Sequence, residues 1–182
     1  MTESGLSTQR TLVWDTSPLL HAIKADVIDR LGELAATWHG AAQRNVTTAA
    51  VISEIAFHGL STSDLAWLEV VHVDDLAELD ALVRWMQLVS GQKSNHGEAT
   101  VLAWAEVHGA TSVIDDSDAR GAAQKAGQPV QGSLRVISDA VQDGAISEYA
   151  ASALVDALLA SGARYPFGQG GFIAWATTMK LL

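Results

Sequence analysis

Short apolar runs alternate with longer segments of helical period along this chain. Thr11 to Trp14 is an apolar run that predicts a buried strand, and Thr111 to Ile114 has the same character. From Asp26 to Trp38, apolar residues recur every three or four positions, which predicts a helix with one buried face. Asn45 to Thr47 and Leu68 to Val73 predict two further strands. Strands that alternate with helices are typical of an α/β fold with a mainly parallel sheet.

Residues that commonly begin or end helices stand between these segments. Ser17 precedes Pro18, which predicts a helix capped by Ser17, because serine accepts a hydrogen bond from the first turn and proline fits the first helical position. Asp74 or Asp75 is predicted to open another helix, which Gly91 ends. These boundaries place the helices between the predicted strands.

The length of 182 residues indicates one domain, because a chain of this size buries about 70% of its unfolded surface without help from cross-links. The later helical segments are Ser133 to Val141 and Glu148 to Leu159. We assign residues 1–10 to an N-terminal extension, residues 11–166 to the domain and residues 167–182 to a C-terminal tail whose structure the pattern does not predict.

The absence of cysteine excludes disulfides and thiolate zinc sites, and fits a reducing compartment. The first ten residues lack the apolar core of a signal peptide. The sequence also has no run of about 18 apolar residues that would cross a membrane. We therefore expect a soluble, cytoplasmic protein.

The net charge of −10 argues against a general nucleic-acid coat protein, because affinity for phosphate comes largely from Lys and Arg. It does not exclude an enzyme that acts on nucleic acid, since bound cations would cancel charge where phosphates approach. A local strip of basic residues is also compatible with a negative net charge. The candidates for such a strip are Lys93, Arg120, Lys125, Arg135 and Arg164.

Acidic residues stand next to the ends of predicted strands and the starts of predicted helices. Asp15 ends the first strand, and Asp115 and Asp116 follow a later one. Glu54 lies off the apolar stripe of its helix, and Glu98 lies in a first helical turn. Because ligand sites form at the carboxyl ends of parallel strands, these carboxylates are expected to meet there. A hard cation such as Mg²⁺ or Mn²⁺ would offset their repulsion, although each acid alone is equally typical of a surface charge or a helix cap.

The histidines and tryptophans indicate structural roles. The six histidines show no HxH or HExxH spacing, so a histidine metal site is not predicted. His96, two residues before Glu98, is the one placed to reach a substrate. The six tryptophans fall mostly on apolar helical faces and are predicted to fill the core and interfaces rather than to stack bases.

Several short motifs, in this order, resemble those of a PIN domain. They are Val13-Trp14-Asp15-Thr16-Ser17-Pro18-Leu19, Ser53-Glu54-Ile55, Gly97-Glu98-Ala99 and the block from Gly109 to Arg120, which continues through Gly132-Ser133-Leu134 and Asp143-Gly144-Ala145-Ile146. Together they span residues 11–166. The longest block is similar to a PIN subfamily whose members often accompany toxin–antitoxin genes.

The resemblance implies a three-layer α/β/α sandwich and a ribonuclease that depends on Mg²⁺ or Mn²⁺, the toxin of a toxin–antitoxin pair. Asp15, Glu54, Glu98 and Asp116 match the acidic positions of the family and would be catalytic. Asp15, Glu98 and Asp116 would hold the metal, with Asp115 as a further candidate because side chains alternate along a strand end. The implied partners are RNA, an antitoxin protein and a second copy of the chain.

Two features keep other interpretations open. Ile114 stands where many toxins of the family carry threonine, which removes a hydroxyl that would order a water or a substrate oxygen. Asp118 is either a further site residue or the cap of a short helix that ends at Gly127. A PIN fold that binds a protein or RNA without cleaving it is therefore the alternative. A haloacid-dehalogenase-type phosphatase is disfavoured, because it needs a second Asp at the position of Ser17.

Overall fold

The computed structural model of the protein describes residues 9–89 and 96–182. In chain order its elements are β1 (Thr11–Trp14), α1 (Thr16–Lys24), α2 (Ile28–Ala35), β2 (Thr37–Trp38), β3 (Ala41–Ala42), β4 (Arg44–Thr48), α3 (Ala49–Phe57), a 3₁₀ turn (Ser63–Leu65), β5 (Glu69–Val71), α4 (Leu76–Leu88), α5 (His96–His108), β6 (Thr111–Val113), α6 (Ser117–Lys125), β7 (Val130–Gln131), α7 (Ser133–Gln142), α8 (Glu148–Ala160) and α9 (Phe172–Thr178). Within those two ranges, every helix is too short or too polar to cross a bilayer.

Five parallel strands form the central sheet in the order β5-β4-β1-β6-β7. The chain first adds β4 and β5 on one side of β1 and then returns to add β6 and β7 on the other side. The backbone N–H of Asp15 donates to the carbonyl of Val113 at 3.0 Å, so the carboxyl ends of β1 and β6 lie side by side. A change of direction of this kind leaves a crevice outside the strand ends, where ligands bind in open α/β sheets.

Helices cover the sheet and complete the predicted three-layer sandwich. Helix α5 packs against β1, β4 and β6, and α4 lies on α5. A second group of helices packs together through α2, α7 and α8. In the core, Trp14 meets Trp67 edge to face at 5.4 Å, and its ring N–H donates to Asn45 at 2.9 Å. The α/β/α fold predicted from the sequence is confirmed.

The long helix predicted from Asp26 to Trp38 is wrong at both ends. Asp26 adopts a left-handed conformation with φ of 56°, so the helix begins only at Ile28. At the other end, Thr37–Trp38 pairs with Ala41–Ala42 in a small hairpin. The apolar period continues past Ala35 because Trp38 is partly buried, but the turn at His39 and Gly40 makes this segment a hairpin instead of a helix.

The predicted strands are present with shifted ends. The strand predicted from Asn45 to Thr47 extends to Arg44–Thr48, and Thr48 caps α3 by accepting a hydrogen bond from the N–H of Val51 at 3.4 Å. The strand predicted from Leu68 to Val73 shortens to Glu69–Val71, because β5 is an edge strand that pairs only with β4. Asp75 opens α4 in a full capping box, whereas Gly91, predicted to end that helix, lies outside the described residues.

The C-terminal tail folds back onto the domain. Helix α9 packs against α8, and Phe172 and Ala176 are fully buried. Phe167 lies 5.9 Å from Tyr165 and 5.2 Å from Trp175, measured between ring centroids. This aromatic group fixes the tail beside the carboxyl ends of β6 and β7.

Candidate active site

Asp15 occupies the centre of the sheet edge. It caps α1, since its Oδ2 accepts a hydrogen bond from the backbone N–H of Ser17 at 3.5 Å. The prediction that Ser17 is the N-cap is therefore wrong by two positions, and Ser17 lies in the first turn instead. Asp15 is only 2% exposed, and its other oxygen, Oδ1, is buried without a hydrogen-bond partner in residues 9–89 and 96–182. A buried acceptor with no partner is costly and marks a position where a ligand would be stabilised.

Glu54 reaches the same edge from α3 and is held at both oxygens. The hydroxyl of Thr16 donates to its Oε2, and the backbone N–H of Gly97 donates to its Oε1 at 3.0 Å. Gly97 is required for this approach, because a Cβ at that position would lie 2.5 Å from Oε2 of Glu54. The hydroxyl of Thr100 donates to the carbonyl of Gly97 at 2.7 Å and also contacts the hydroxyl of Thr48, which anchors the start of α5 over Glu54.

Glu98 projects from the first turn of α5 and is half-buried. Its Oε2 is buried and has no hydrogen-bond partner among the described residues. The pKa of Glu98 is raised to about 8, mainly by burial and then by the negative charges of Asp15, Asp116 and Glu54, in that order. The helix N-terminus offsets only part of this cost.

Burial also has the largest effect on the pKa of Asp15. Its pKa is raised to about 7, mainly by burial, although the backbone N–H groups of Thr16 and Ser17 act in the opposite direction. The charges of Glu54 and Asp115 add to the increase. Two carboxyls with raised pKa values and shared acidic neighbours indicate a functional site, because a purely structural cluster would gain nothing from such repulsion.

The two adjacent aspartates after β6 have different contacts. Asp115 accepts two hydrogen bonds from Ser133, one from its backbone N–H and one from its hydroxyl, both at 2.7 Å. Asp116 caps α6, where its Oδ1 accepts from the backbone N–H groups of Asp118 and Ala119, both at 2.9 Å. Helix α6 begins at Ser117, so the prediction that Asp118 caps it is wrong. Asp118 is instead an exposed residue of the first turn.

The carboxylates fit a hard divalent ion in their chemistry. Oxygen donors that carry negative charge are what Mg²⁺ and Mn²⁺ prefer, and Asp15 and Glu98 each offer one buried oxygen that no protein group uses. However, no three His, Asp or Glu side chains of residues 9–89 and 96–182 are already arranged to hold a metal ion. The repulsion between these carboxylates, which adds to the effect of burial on the two pKa values, opposes such an arrangement.

Residues that hold the acids were missed by sequence reasoning. Thr16, Gly97 and Ser133 bind the carboxylates, but each contact joins parts of the chain that are far apart in sequence. Their only sequence signal is that each stands inside a motif that resembles the PIN family. Of the basic candidates, Arg120 donates to the carbonyl of Ile114 at 2.9 Å, whereas Lys93 lies outside the described residues.

Residues 11–168 match the model of the PIN-domain family DUF3368. The chain therefore belongs to the PIN-domain family. PIN domains are generally nucleases and typically use divalent metal ions. A search of curated proteins returned no match.

Proposed function

We propose that this PIN domain is an endoribonuclease that depends on Mg²⁺ or Mn²⁺ and serves as the toxin of a toxin–antitoxin pair. The observation that carries the proposal is the meeting of Asp15, Glu54 and Glu98 at one sheet edge, where two buried carboxylate oxygens have no partner. The toxin role and a cytoplasmic location rest on the sequence resemblance and the absence of cysteine.

Asp15, Glu98 and Asp116 would hold the ion, with Asp115 beside them. When bound, a divalent ion activates a water and offsets charge on the leaving oxygen of a phosphodiester. Asp116 keeps its helix-capping contacts through Oδ1, which leaves Oδ2 for this task. Asp115 acts as a positioning residue, since both its oxygens bind Ser133. Glu54, held by Thr16 and Gly97, would accept a hydrogen bond from the attacking water.

A surface pocket beside Glu54 supports a single-stranded substrate. The pocket has a volume of about 370 Å³ and is lined by Glu54, Phe57, His58 and His96, among others. Phe57 is 91% exposed, and a flat apolar ring in that position is suited to stack on an unpaired base. The pocket would place the neighbouring phosphate near the carboxylates.

The alternative is a PIN fold that binds RNA or protein without cleaving it. Two observations favour it: the described side chains form no ready metal site, and Ile114 supplies no hydroxyl. Turnover of a mixed RNA pool with Mn²⁺ and with EDTA separates the two functions. Cleavage that requires Mn²⁺ supports the nuclease, whereas RNA that stays intact with Mn²⁺ while remaining bound supports the alternative.

Gly97→Ala is expected to reduce RNA cleavage by at least about tenfold while leaving the fold intact. The added Cβ would lie 2.5 Å from Oε2 of Glu54, so that carboxylate must move away from its two donors. The clash involves the end of a flexible side chain, so the unfolding temperature should change little, and a displacement of about 1 Å in an active site costs up to a hundredfold in rate. Initial rates and thermal melts of the same preparations measure both effects.

Gly121→Ala is the matched control for this variant. Gly121 lies in α6, and a Cβ there meets no atom within 4 Å. The substitution should stabilise the protein by roughly 0.5–1 kcal/mol and leave cleavage unchanged. Equal cleavage rates for Gly97→Ala and Gly121→Ala would show that Glu54 does not take part in cleavage.

A homodimer and an antitoxin complex are further parts of the proposal. Leu76, Leu79 and Val83 form an exposed apolar stripe on α4, while the apolar face of α2 is buried within the domain. The dimer, if formed, would therefore use α4. An antitoxin would place an Arg or Lys against the carboxylates. Light scattering of the isolated chain and co-purification with the product of a neighbouring gene test these partners, and a monomer that co-purifies with nothing contradicts both.

A further inference from the structure

A cavity of about 270 Å³ lies between the end of β7, helices α6 and α7, and the C-terminal tail. Its wall includes three arginines, Arg120, Arg135 and Arg164, together with Tyr165 and Trp175. Asp115 also contributes to the wall, so the cavity adjoins the acidic site. The end of the domain supplies Arg164 and Tyr165, and the tail supplies Trp175, so this side of the cavity forms only because the tail folds back.

The charge in this cavity is opposite to that of the whole chain, which carries −10. Arg120 uses one N–H on the carbonyl of Ile114, and Arg135 uses its Nε on Asp139 at 2.6 Å, so each keeps further donors. Arg164 is exposed and makes no hydrogen bond or ion pair with the described residues. The one carboxylate of the wall, Asp115, already accepts two hydrogen bonds from Ser133. Three arginines with unused donors therefore face a cavity whose wall holds one carboxylate.

The rest of the wall offers an aromatic surface and an unused amide donor. Trp175 is half-buried and supported by Phe167 and Phe172 at 5.2 Å and 6.5 Å between ring centroids. Gln131 accepts a hydrogen bond from Arg10 at 2.7 Å through Oε1, which fixes its amide orientation. Its Nε2 is then a buried donor without a partner. A ligand with hydrogen-bond acceptors would satisfy it.

We propose that this cavity binds a nucleotide, with its phosphate against the arginines and its base against Trp175. Arginine forks match phosphate oxygens in pairs, and aromatic rings stack on bases of any sequence. The volume is slightly below the range typical of small-molecule pockets, which suits one nucleotide rather than a longer ligand. The nucleotide is either free or one unit of an RNA strand, and the second source rests on the proposed ribonuclease function.

Calorimetry with AMP and with inorganic phosphate, both in EDTA, tests this site without any need for cleavage. Arg164→Gln should weaken AMP binding about tenfold, because it removes a charge-assisted contact. Trp175→Leu should weaken AMP by about the same factor through loss of stacking while leaving phosphate binding unchanged, which also shows that the variant is folded. Arg30→Gln is the matched control, since Arg30 is an arginine outside the wall and should leave both affinities unchanged.

A second arm identifies the source of the nucleotide. Anisotropy of a labelled single-stranded oligouridine, again in EDTA, is measured for wild type and Arg164→Gln. Weaker binding of both AMP and the oligouridine assigns the cavity to one unit of an RNA strand, and weaker binding of AMP alone assigns it to a free nucleotide. AMP that does not bind wild type, or that binds Arg164→Gln and Arg30→Gln equally, overturns the proposal. Neither result depends on whether the acidic site cleaves RNA.

Discussion

Asp15→Asn is expected to lower Mn²⁺-dependent RNA cleavage by about two to three orders of magnitude. The amide keeps the size of the side chain and remains a good N-cap for α1, so helix and fold should survive. What it removes is the negative charge of the most deeply buried acid of the cluster, whose Oδ1 has no other partner. Initial rates on an RNA pool at saturating Mn²⁺ measure the effect.

Asp116→Asn should give a loss of similar size for the same reason, since asparagine also preserves the cap of α6. Asp75→Asn is the matched control, because Asp75 caps α4 in a capping box and is not among the residues that influence Asp15 or Glu98. Cleavage should be unchanged in that variant. Unchanged cleavage in Asp15→Asn would instead exclude Asp15 from catalysis.

The second large effect is on the stability of the metal-free protein. The folded pKa of Asp15 is about 7, compared with an ordinary value of 3.8, so between these pH values the folded state binds a proton that the unfolded state releases. The free energy of unfolding therefore falls as pH rises from about 4 to about 7 and then levels off. Glu98 acts in the same direction, from 4.5 towards about 8.

Thermal melts in EDTA across pH 5 to 8 should show this loss in wild type and a smaller loss in Asp15→Asn. At pH 8 the variant should melt several degrees higher, since each pKa unit corresponds to about 1.4 kcal/mol and each kcal/mol to about 2–4 °C in a domain of this size. The difference between the two proteins reports the titration of Asp15 together with the effect of its charge on Glu98. Parallel pH profiles would show that Asp15 is not destabilised by its surroundings.

Mn²⁺ should raise the melting temperature of wild type more than that of Asp15→Asn. An ion that binds only the folded state at 100 times its dissociation constant adds roughly 2.7 kcal/mol to the free energy of unfolding. Asp15→Asn should show a smaller increment, since a neutral amide is a weaker ligand. The increment in wild type should also grow as pH rises through about 7 to 8, because Asp15 and Glu98 must lose protons to bind the ion. Equal increments in both proteins would show that Asp15 does not bind the metal.

The sequence by itself determined the parts of this protein that depend on local pattern. An apolar run that ends in Asp15 predicts a buried strand with an acid at its end, and Asp75 before an apolar period predicts a capped helix. Both predictions agree with the structure because they depend only on neighbours within one helical turn or one strand. The order of the acidic motifs also indicated the PIN-domain family, to which the chain belongs.

Only the tertiary structure decided how the acids are held and what surrounds them. Thr16 and Gly97 fix Glu54, and Ser133 fixes Asp115, through contacts between residues that are far apart in the chain. Trp175, predicted to be core filler, lines a cavity with three arginines because the tail returns to β7. Pairings of this kind carry no local signal, since the residues become neighbours only when the sheet and its helices have assembled.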